Sequence, residues 1–368
     1  MADALRSGKA MSARADAQSM GGTGLLAGTL RFSAVPDGVF NDGAVLAVPV
    51  PDCSSFEASR RALARMGMEA AELDHCRTEP PQMASGAAGK AGYLRLDFTH
   101  DNERGRTVLY DMDRRAPLLA QKALYWEESQ PGMACVIVIA STGCVVQGDR
   151  LALDVSAGPG ARALVTTQSA SKVHSMEHNY ASQLQRFRLE EDAYLEYMPD
   201  PLILHRGARY LQDTHVTLPA SASFVFGDIL VPGRRWHHAE ELFGFDVYSA
   251  GLSVSRGEGE EPLFEERLVL EAEDTEFRNA GVMGGYEVLG SLYALIPERH
   301  CAPLKNAVGS DVRDDEAWGA SILPHGAGVA LRVLGRSVEV VRARMRGFHS
   351  LVREAVLGRA LPAEFLWR

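Results

Sequence analysis

The chain has 368 residues, 46% of them hydrophobic and 23% charged, the composition of a globular protein with one large domain or two. Its formal net charge is −10, so it has no long-range attraction for phosphate backbones or anionic membranes. The longest purely apolar run, residues 133–140, falls far short of the roughly 20 residues of a spanning helix.

Residues 1–20 have no apolar core of a secretory signal and read as a disordered leader. Residues 1–90 hold only three of the chain's 27 aromatics (Phe32, Phe40, Phe56) and are expected to be a poorly ordered, Ala/Gly-rich extension. Within it, the spacing of Leu63, Met66 and Ala70 predicts a helix over 56–71, capped by Ser54 and Ser55. Gly22-Thr-Gly24 follows no strand and is not a dinucleotide fingerprint. Residues 78–92 read as a Pro/Gly/Ala-rich linker.

From Tyr93 the texture changes, and residues 91–368 read as a β-rich domain. Short β-favouring runs recur at roughly ten-residue intervals, bounded by Gly, Pro and Asp. They include 93–98, 107–110, 135–140, 163–167, 194–197, 216–218, 223–226, 243–248 and 267–270. No repeat of fixed length is visible, so a regular solenoid or propeller is not supported. Residues 329–334 read as a strand. Val338, Val341, Met345, Phe348, Val352 and Ala355 step by three and four, an amphipathic helix over about 337–358 with Gly358 as its stop. The tail 362–368, with Phe365 and Trp367, is apolar enough to be expected to dock.

The usual catalytic signatures are missing: there is no GxxxxGK[ST], HExxH or GxSxG. The five cysteines are scattered and form no CxxC pair, which favours a reducing cytoplasm over a disulfide or zinc scaffold. Cys144, between apolar residues, reads as a buried structural thiol. His174 and His178 share a face on a helix, but in a strand they stand about 13 Å apart. His237-His238 precede Glu240-Glu241, which makes a metal-dependent hydrolase using His174, His178 and Glu240 or Glu241 the alternative function. Solvated loops are the simpler account of both clusters. Trp126, Trp236 and Trp318 could serve a β-rich binding module, but as simply belong to a core or an interface.

Three stretches are more pointed. Ser141-Thr-Gly-Cys-Val-Val-Gln-Gly-Asp149-Arg150-Leu151 follows an apolar strand and turns through Gly148 into Asp149. Residues 166–173 are a hydroxyl-rich run ending in Ser171-Lys172-Val173. Leu195-Glu196-Tyr-Met-Pro-Asp200-Pro201 places two acids around two prolines. With Ala116-Pro-Leu-Leu-Ala-Gln121, Tyr125-Trp126-Glu127, Asp228 before Gly233-Arg234, and Pro262-Leu263-Phe-Glu-Glu266-Arg267-Leu268, they stand in an order that resembles the urease accessory protein UreD (UreH) family. The resemblance runs from about Tyr93 to the C-terminus. The chain departs from the pattern at Cys144 and Gln147, where the family has Gly, and over 235–243, which is two residues longer.

The resemblance implies a mainly β fold: an irregular helical stack of short strands with a small C-terminal α/β part ending in an amphipathic helix. It implies a protein that is not an enzyme but a scaffold and nickel-passing metallochaperone for maturation of the urease metallocentre. Its partners would be UreF-like and UreG-like proteins and apo-urease. No cofactor would be held tightly, with Ni²⁺ only in transit past Asp149, Ser171, Asp228 and Glu266. Those residue types suit the task. Isolated carboxylates and hydroxyls release a divalent ion more readily than a His/Cys cage. A buried acid must also be paired, hydrogen-bonded or hydrated, so an ion pair with arginine is the competing role for Asp149 and Glu266, which Arg150 and Arg267 directly follow.

Overall fold

The computed structural model describes residues 29–33 (backbone), 55–77, 89–257 and 262–363. Strand β1 (Thr29–Ser33) comes first, then helix α1 (Phe56–Glu69) and a 3₁₀ turn at Ala71–Cys76. The body follows with β2 (Ala91–Asp101), β3 (Arg106–Arg115), β4 (Leu118–Ala120), β5 (Ala134–Ala140), β6 (Arg150–Ala157), β7 (Arg162–Thr167) and β8 (Ser171–Val173). It continues through β9 (Ala181–Leu189), β10 (Tyr194–Tyr197), β11 (Leu202–Leu204), β12 (Arg209–Thr217), β13 (Ser223–Val231), β14 (Val247–Ser255) and β15 (Pro262–Glu271). The C-terminal part adds β16 (Val288–Leu295), α2 (Cys301–Val308), β17 (Ser310–Val312), β18 (Glu316–Ile322), β19 (Gly328–Gly335) and α3 (Val338–Leu357). The mainly β expectation holds.

The strands form two sheets, ordered β1-β15-β14-β12-β9-β6-β2-β3 and β17-β18-β19-β16-β13-β10-β7-β5-β4. From β5 onward the chain crosses between them: β5, β7, β10 and β13 enter the second sheet, and β6, β9, β12 and β14 the first. Each newcomer lies parallel to the strand one coil earlier. This is the stack of short strands that the family resemblance implies. Strands in the first sheet begin at residues 150, 181, 209 and 247, so the coils differ in length and no repeat shows in the sequence. Antiparallel strands close both ladders, β15 on the first sheet and β16 on the second.

The apolar run 133–140 contains β5, a strand buried on both faces, as parallel strands are. The main core lies between the sheets and includes Leu153, Val155, Phe187, Leu195, Phe224 and Val254. A second core lies between the outer face of the second sheet and α3, through Val341, Met345, Phe348 and Val352. The expected C-terminal helix is therefore present. Ser337 caps it by accepting from the Val340 amide, and Gly358 ends it in the left-handed conformation (φ 72°).

Helix α1 covers the outer face of the first sheet, where Leu63 packs with Tyr93, Ala152 and Leu184. Ser55 caps it, accepting from the Ala58 amide at 3.3 Å. Arg186 ties it down, binding Asp154 through Nε (2.7 Å) and Ser59 through Nη2 (2.5 Å). Residues 55–77 thus belong to the packed body rather than to an unstructured extension. The expectations for residues 1–20, Gly22–Gly24 and 78–88 lie outside the described residues, as do those for Phe365 and Trp367. Pro362 and Ala363 are held by Arg346, which donates to both carbonyls.

Arg353 on α3 is wholly buried and grips two acids at once. Its Nη1 reaches Glu127 at 2.7 and 2.8 Å, while Nε and Nη2 reach Glu196 at 2.6 and 2.7 Å. Tyr194 donates to Glu196, and His349 Nε2 lies 2.8 Å from it. Burial opposes charge on Glu196, but Arg353 and His349 more than offset this and hold its carboxyl well below the usual range. Removing the arginine leaves two uncompensated carboxylates in an apolar layer. Arg353→Met is expected to destabilise the fold by about 3–5 kcal/mol, read from urea denaturation. A loss under 1 kcal/mol would show that α3 docks on apolar packing alone.

Candidate functional site

Side chains alternate along a strand, so the ladder register decides which of them face the inter-sheet space. On β9, Gln183 and Gln185 share the inward face with Phe187 and Leu189; on β12, Tyr210, Gln212 and Thr214 share it with Val216. On the second sheet Phe224, Phe226 and Asp228 of β13 and Ser291, Tyr293 and Leu295 of β16 form such rows, and on the first sheet so do Phe264 and Glu266 of β15. The interior is thus divided. The end holding Phe187, Leu189, Val216 and Phe224 is apolar. The other end carries amides, hydroxyls, two acids and Arg332.

That polar end is hollow. One cavity, of about 80 Å³, runs in from the exposed stretch 168–172 past Ser171, Gln183, Gln185 and Tyr197 to Asp228. A second, of about 40 Å³, runs on from Asp228 past Thr214, Tyr248 and Ser291 to Glu266 and Arg332. Gln212, Phe226 and Asp228 line both. One water needs about 10–15 Å³ and two or more polar partners, so both spaces suit small groups of waters.

Three of the four expected path residues line this space: Ser171 at the surface end, Asp228 where the cavities meet, and Glu266 at the far end. Asp228 makes no ion pair among the described residues. Its carboxylate accepts from the Tyr248 hydroxyl at 3.2 Å. Burial pushes the carboxyl above its ordinary range, against the Tyr248 hydrogen bond and the Arg332 charge, which pull it down. It keeps some accessible surface although enclosed by protein, because it faces the cavity. Burial likewise raises the hydroxyls of Tyr197, Tyr210, Tyr248 and Tyr293, so the tyrosines around the cavity stay neutral donors.

Glu266 is bound by Arg332, which reaches across from β19 and also donates to the Tyr293 hydroxyl. The partner is not its neighbour Arg267, which pairs with Asp213 at 2.6 Å. Glu266 Oε2 and Arg332 Nη1 are buried and have no hydrogen-bond partner among the described residues, an unsatisfied pair of polar atoms beside the second cavity.

Asp149 lines neither cavity. Buried at 1% exposure, it accepts from the Lys90 amide (2.8 Å) and the Val146 amide (3.0 Å), locking the turn into β6. Gly148 takes φ +80° there, and a Cβ would sit 3.1 Å from the Gly89 Cα, so glycine is required. Arg150 does not pair with the Asp149 carboxylate; it donates to the carbonyls of Asp149 and Tyr180. Cys144 is half-buried and lines the outer cavity near its surface end, rather than being the fully buried thiol expected.

The hydrolase cluster is not assembled. His174 and His178 are exposed, and His174 stacks on buried His205 at 4.6 Å between ring centroids. Glu240 pairs with Arg206, and Glu241 is held by Arg234 through two contacts of 2.6 and 3.0 Å. Among the described residues no group of three His, Cys, Asp or Glu side chains is placed to hold a metal ion. Of the tryptophans, Trp318 is buried, Trp126 packs on the α3 core and Trp236 is exposed, so they share no platform.

The lining residues missed in the sequence include Gln183, Gln185, Gln212, Tyr248 and Arg332. Their one signal is polar residues within strands buried on both faces, and it appears only once the register is known.

Comparison with known proteins identifies the family. The family model described as UreD urease accessory protein matches residues 90–368. A urease accessory protein UreD of Photorhabdus laumondii is 44% identical over 305 residues, covering 82% of this chain and 94% of its own length. One from Yersinia pseudotuberculosis is 45% identical with the same coverage. Urease accessory protein UreD 3 of Methylorubrum populi is 41% identical over 302 residues, covering 81% of this chain and 96% of its own. The chain belongs to the UreD family of urease accessory proteins.

Two carboxylates in this body should answer differently to substitution. Asp149→Ala strips two partly buried amides of their acceptor and is expected to lose about 1–3 kcal/mol in all. Asp228→Asn removes a charge that burial disfavours and is expected to keep or raise stability at pH 7. Urea denaturation of both variants checks the pair. Equal losses would refute the division between turn lock and cavity residue.

A pH effect follows from His205. Burial, aided by the nearby charges of Arg234, His174 and Lys172, lowers its pKa from 6.5 to about 4 despite Glu241. The unfolded chain therefore binds more protons than the folded one between those values, and stability falls as pH drops from about 6.5 to 4. His205→Gln is expected to flatten that part of the stability–pH curve, and a curve of unchanged slope would contradict it.

Proposed function

We propose that this chain is a non-enzymatic scaffold of the urease maturation complex, and that it lets Ni²⁺ pass through its interior toward apo-urease. UreF-like and UreG-like accessory proteins are the partners in this reading, and the cytoplasm is the compartment. No described helix is long and apolar enough to cross a membrane, which agrees with that setting.

The observation that carries the proposal is the pair of cavities that share Asp228 in their lining, an enclosed carboxylate that makes no ion pair among the described residues. An enclosed anion without a counter-ion costs free energy in a fold kept only for stability. It is useful where a cation visits. Ser171 and Asp200, the latter paired with Arg342 at 3.2 Å, line the surface end together with Lys172, and Gln183, Gln185 and Asp228 supply oxygens further in. Hydroxyl, amide and single carboxylate groups hold a divalent ion loosely, as transit requires. Three histidines or cysteines at the same place would trap Ni²⁺, which lies near the top of the affinity series.

The test is co-expression with a urease operon that lacks its own UreD gene, supplying the matching UreF-like and UreG-like partners. The wild-type chain is expected to restore urease activity and nickel content. Asp228→Asn is expected to lower both at least tenfold while the complex still co-purifies. Full nickel loading by Asp228→Asn would overturn the interior path. Loss of co-purification would instead assign Asp228 to assembly.

A further inference from the structure

One ion pair stands in the lining of the second cavity. Glu266 stands on the first sheet and Arg332 on the second, so their contact bridges the inter-sheet space. Arg332 also stands close to Asp228. Both pair in register with Ser291 of β16, one from each side, so they are two strands apart on one face, about 9–10 Å between Cα atoms. The three charged groups therefore face one small space, and all line the inner cavity.

Their charges are unequal in use. Glu266 is neutralised by the guanidinium, while Asp228 is not in an ion pair. Glu266 is only 5% exposed, yet one of its carboxylate oxygens has no hydrogen-bond partner. Its donor capacity toward a cation is present but blocked. A divalent ion at Asp228 meets one free carboxylate with a positive charge nearby. To gain the second carboxylate it must bind against the charge of the Arg332 guanidinium, which already holds Glu266 through Oε1.

We propose that Arg332 is the charge gate of the interior: by occupying Glu266 it keeps Asp228 the sole free carboxylate and so keeps divalent cations weakly held. This inference rests on the cation path above and adds to it the residue that sets the affinity. Arg332 is a positioning residue here, not a ligand. Its removal turns a one-carboxylate passage into a two-carboxylate trap.

The experiment measures equilibrium binding of Ni²⁺ alone to the full chain, purified with its UreF-like partner, by calorimetry. Arg332→Gln is expected to bind Ni²⁺ at least tenfold more tightly than wild type. The double variant Arg332→Gln/Asp228→Asn is expected to lose that gain. Wild-type affinity in a folded Arg332→Gln chain would overturn the gate. If Arg332→Gln does not fold, Glu266→Gln supplies the test. It leaves the guanidinium unneutralised beside Asp228 and is expected to weaken Ni²⁺ binding at least threefold, and unchanged binding would overturn the gate. The two readings fail separately. The path fails if Asp228→Asn loads urease fully; the gate fails if these affinities do not move while Asp228→Asn still lowers urease nickel.

Discussion

A coil that lays one strand in each of two sheets satisfies its backbone amides on the coil before it, and this stacking is the constraint from which the rest follows. Parallel pairing carries the chain through β5, β7, β10 and β13 on one side and β6, β9, β12 and β14 on the other. Register then decides, residue by residue, which side chains face the inter-sheet space. Because the ladders are regular, like residues line up in rows. Phe187 meets Phe224 and Tyr197 at ring distances of 4.7 and 5.0 Å, while Gln185 meets Thr214 at 3.0 Å one step along. The boundary between filled and hollow interior is a consequence of that alignment, not of a loop or a hinge.

Placing polar groups between two sheets has to be compensated, and how the compensation is shared is informative. Each buried carboxylate among the described residues has a dedicated partner. Asp154 has Arg186, Glu127 and Glu196 share Arg353, Glu241 has Arg234, Glu316 has Arg344 and Glu266 has Arg332. Asp149 has two backbone amides instead. Several of these pairs also join layers: Arg186 reaches α1, and Arg353 and Arg344 reach out from α3. Ion pairing thus sits mainly where elements must be fastened to the sheets. Asp228 lies outside this scheme, with a tyrosine hydroxyl but no arginine. In a body that pairs its acids so consistently, that exception is the strongest single sign of a task other than stability.

Much of the fold was legible in the sequence, for identifiable reasons. Helix α3 announces itself because one face packs on a sheet and the other meets water, which imposes a 3.6-residue period. Strand β5 does so because burial on both faces needs an unbroken apolar run. Strands β9 and β12 were hidden by Gln183, Gln185, Gln212 and Arg186, polar residues that a single-strand pattern assigns to solvent. They are buried because neighbouring coils cover them, which is a non-local fact. The same limit governed the site. Asp228, Ser171 and Glu266 were reached by family resemblance, and Asp149 with them, though its carboxylate serves a turn. Arg332 could not be found, because its partner is 66 residues away. Sequence neighbourhood pointed to Arg267, whose side chain serves Asp213 instead. Likewise, Glu240 and Glu241, candidate ligands by sequence spacing, are taken by Arg206 and Arg234, neither of them predictable from local sequence.

The hollow end explains why so much apolar packing lies elsewhere. Cavities of about 80 and 40 Å³ give up contacts that a filled core would make. The polar lining adds groups that must be hydrated to stay satisfied. Those losses are tolerable because the two sheets are not the only layers. Helix α1 builds an apolar seam on the outer face of one sheet and α3 a larger one on the other. These outer seams add to the main core between the sheets and leave part of the inter-sheet space for polar side chains. With a helix on the outer face of each sheet, the chain buries apolar surface in three places, and only one of them has to accommodate the polar rows.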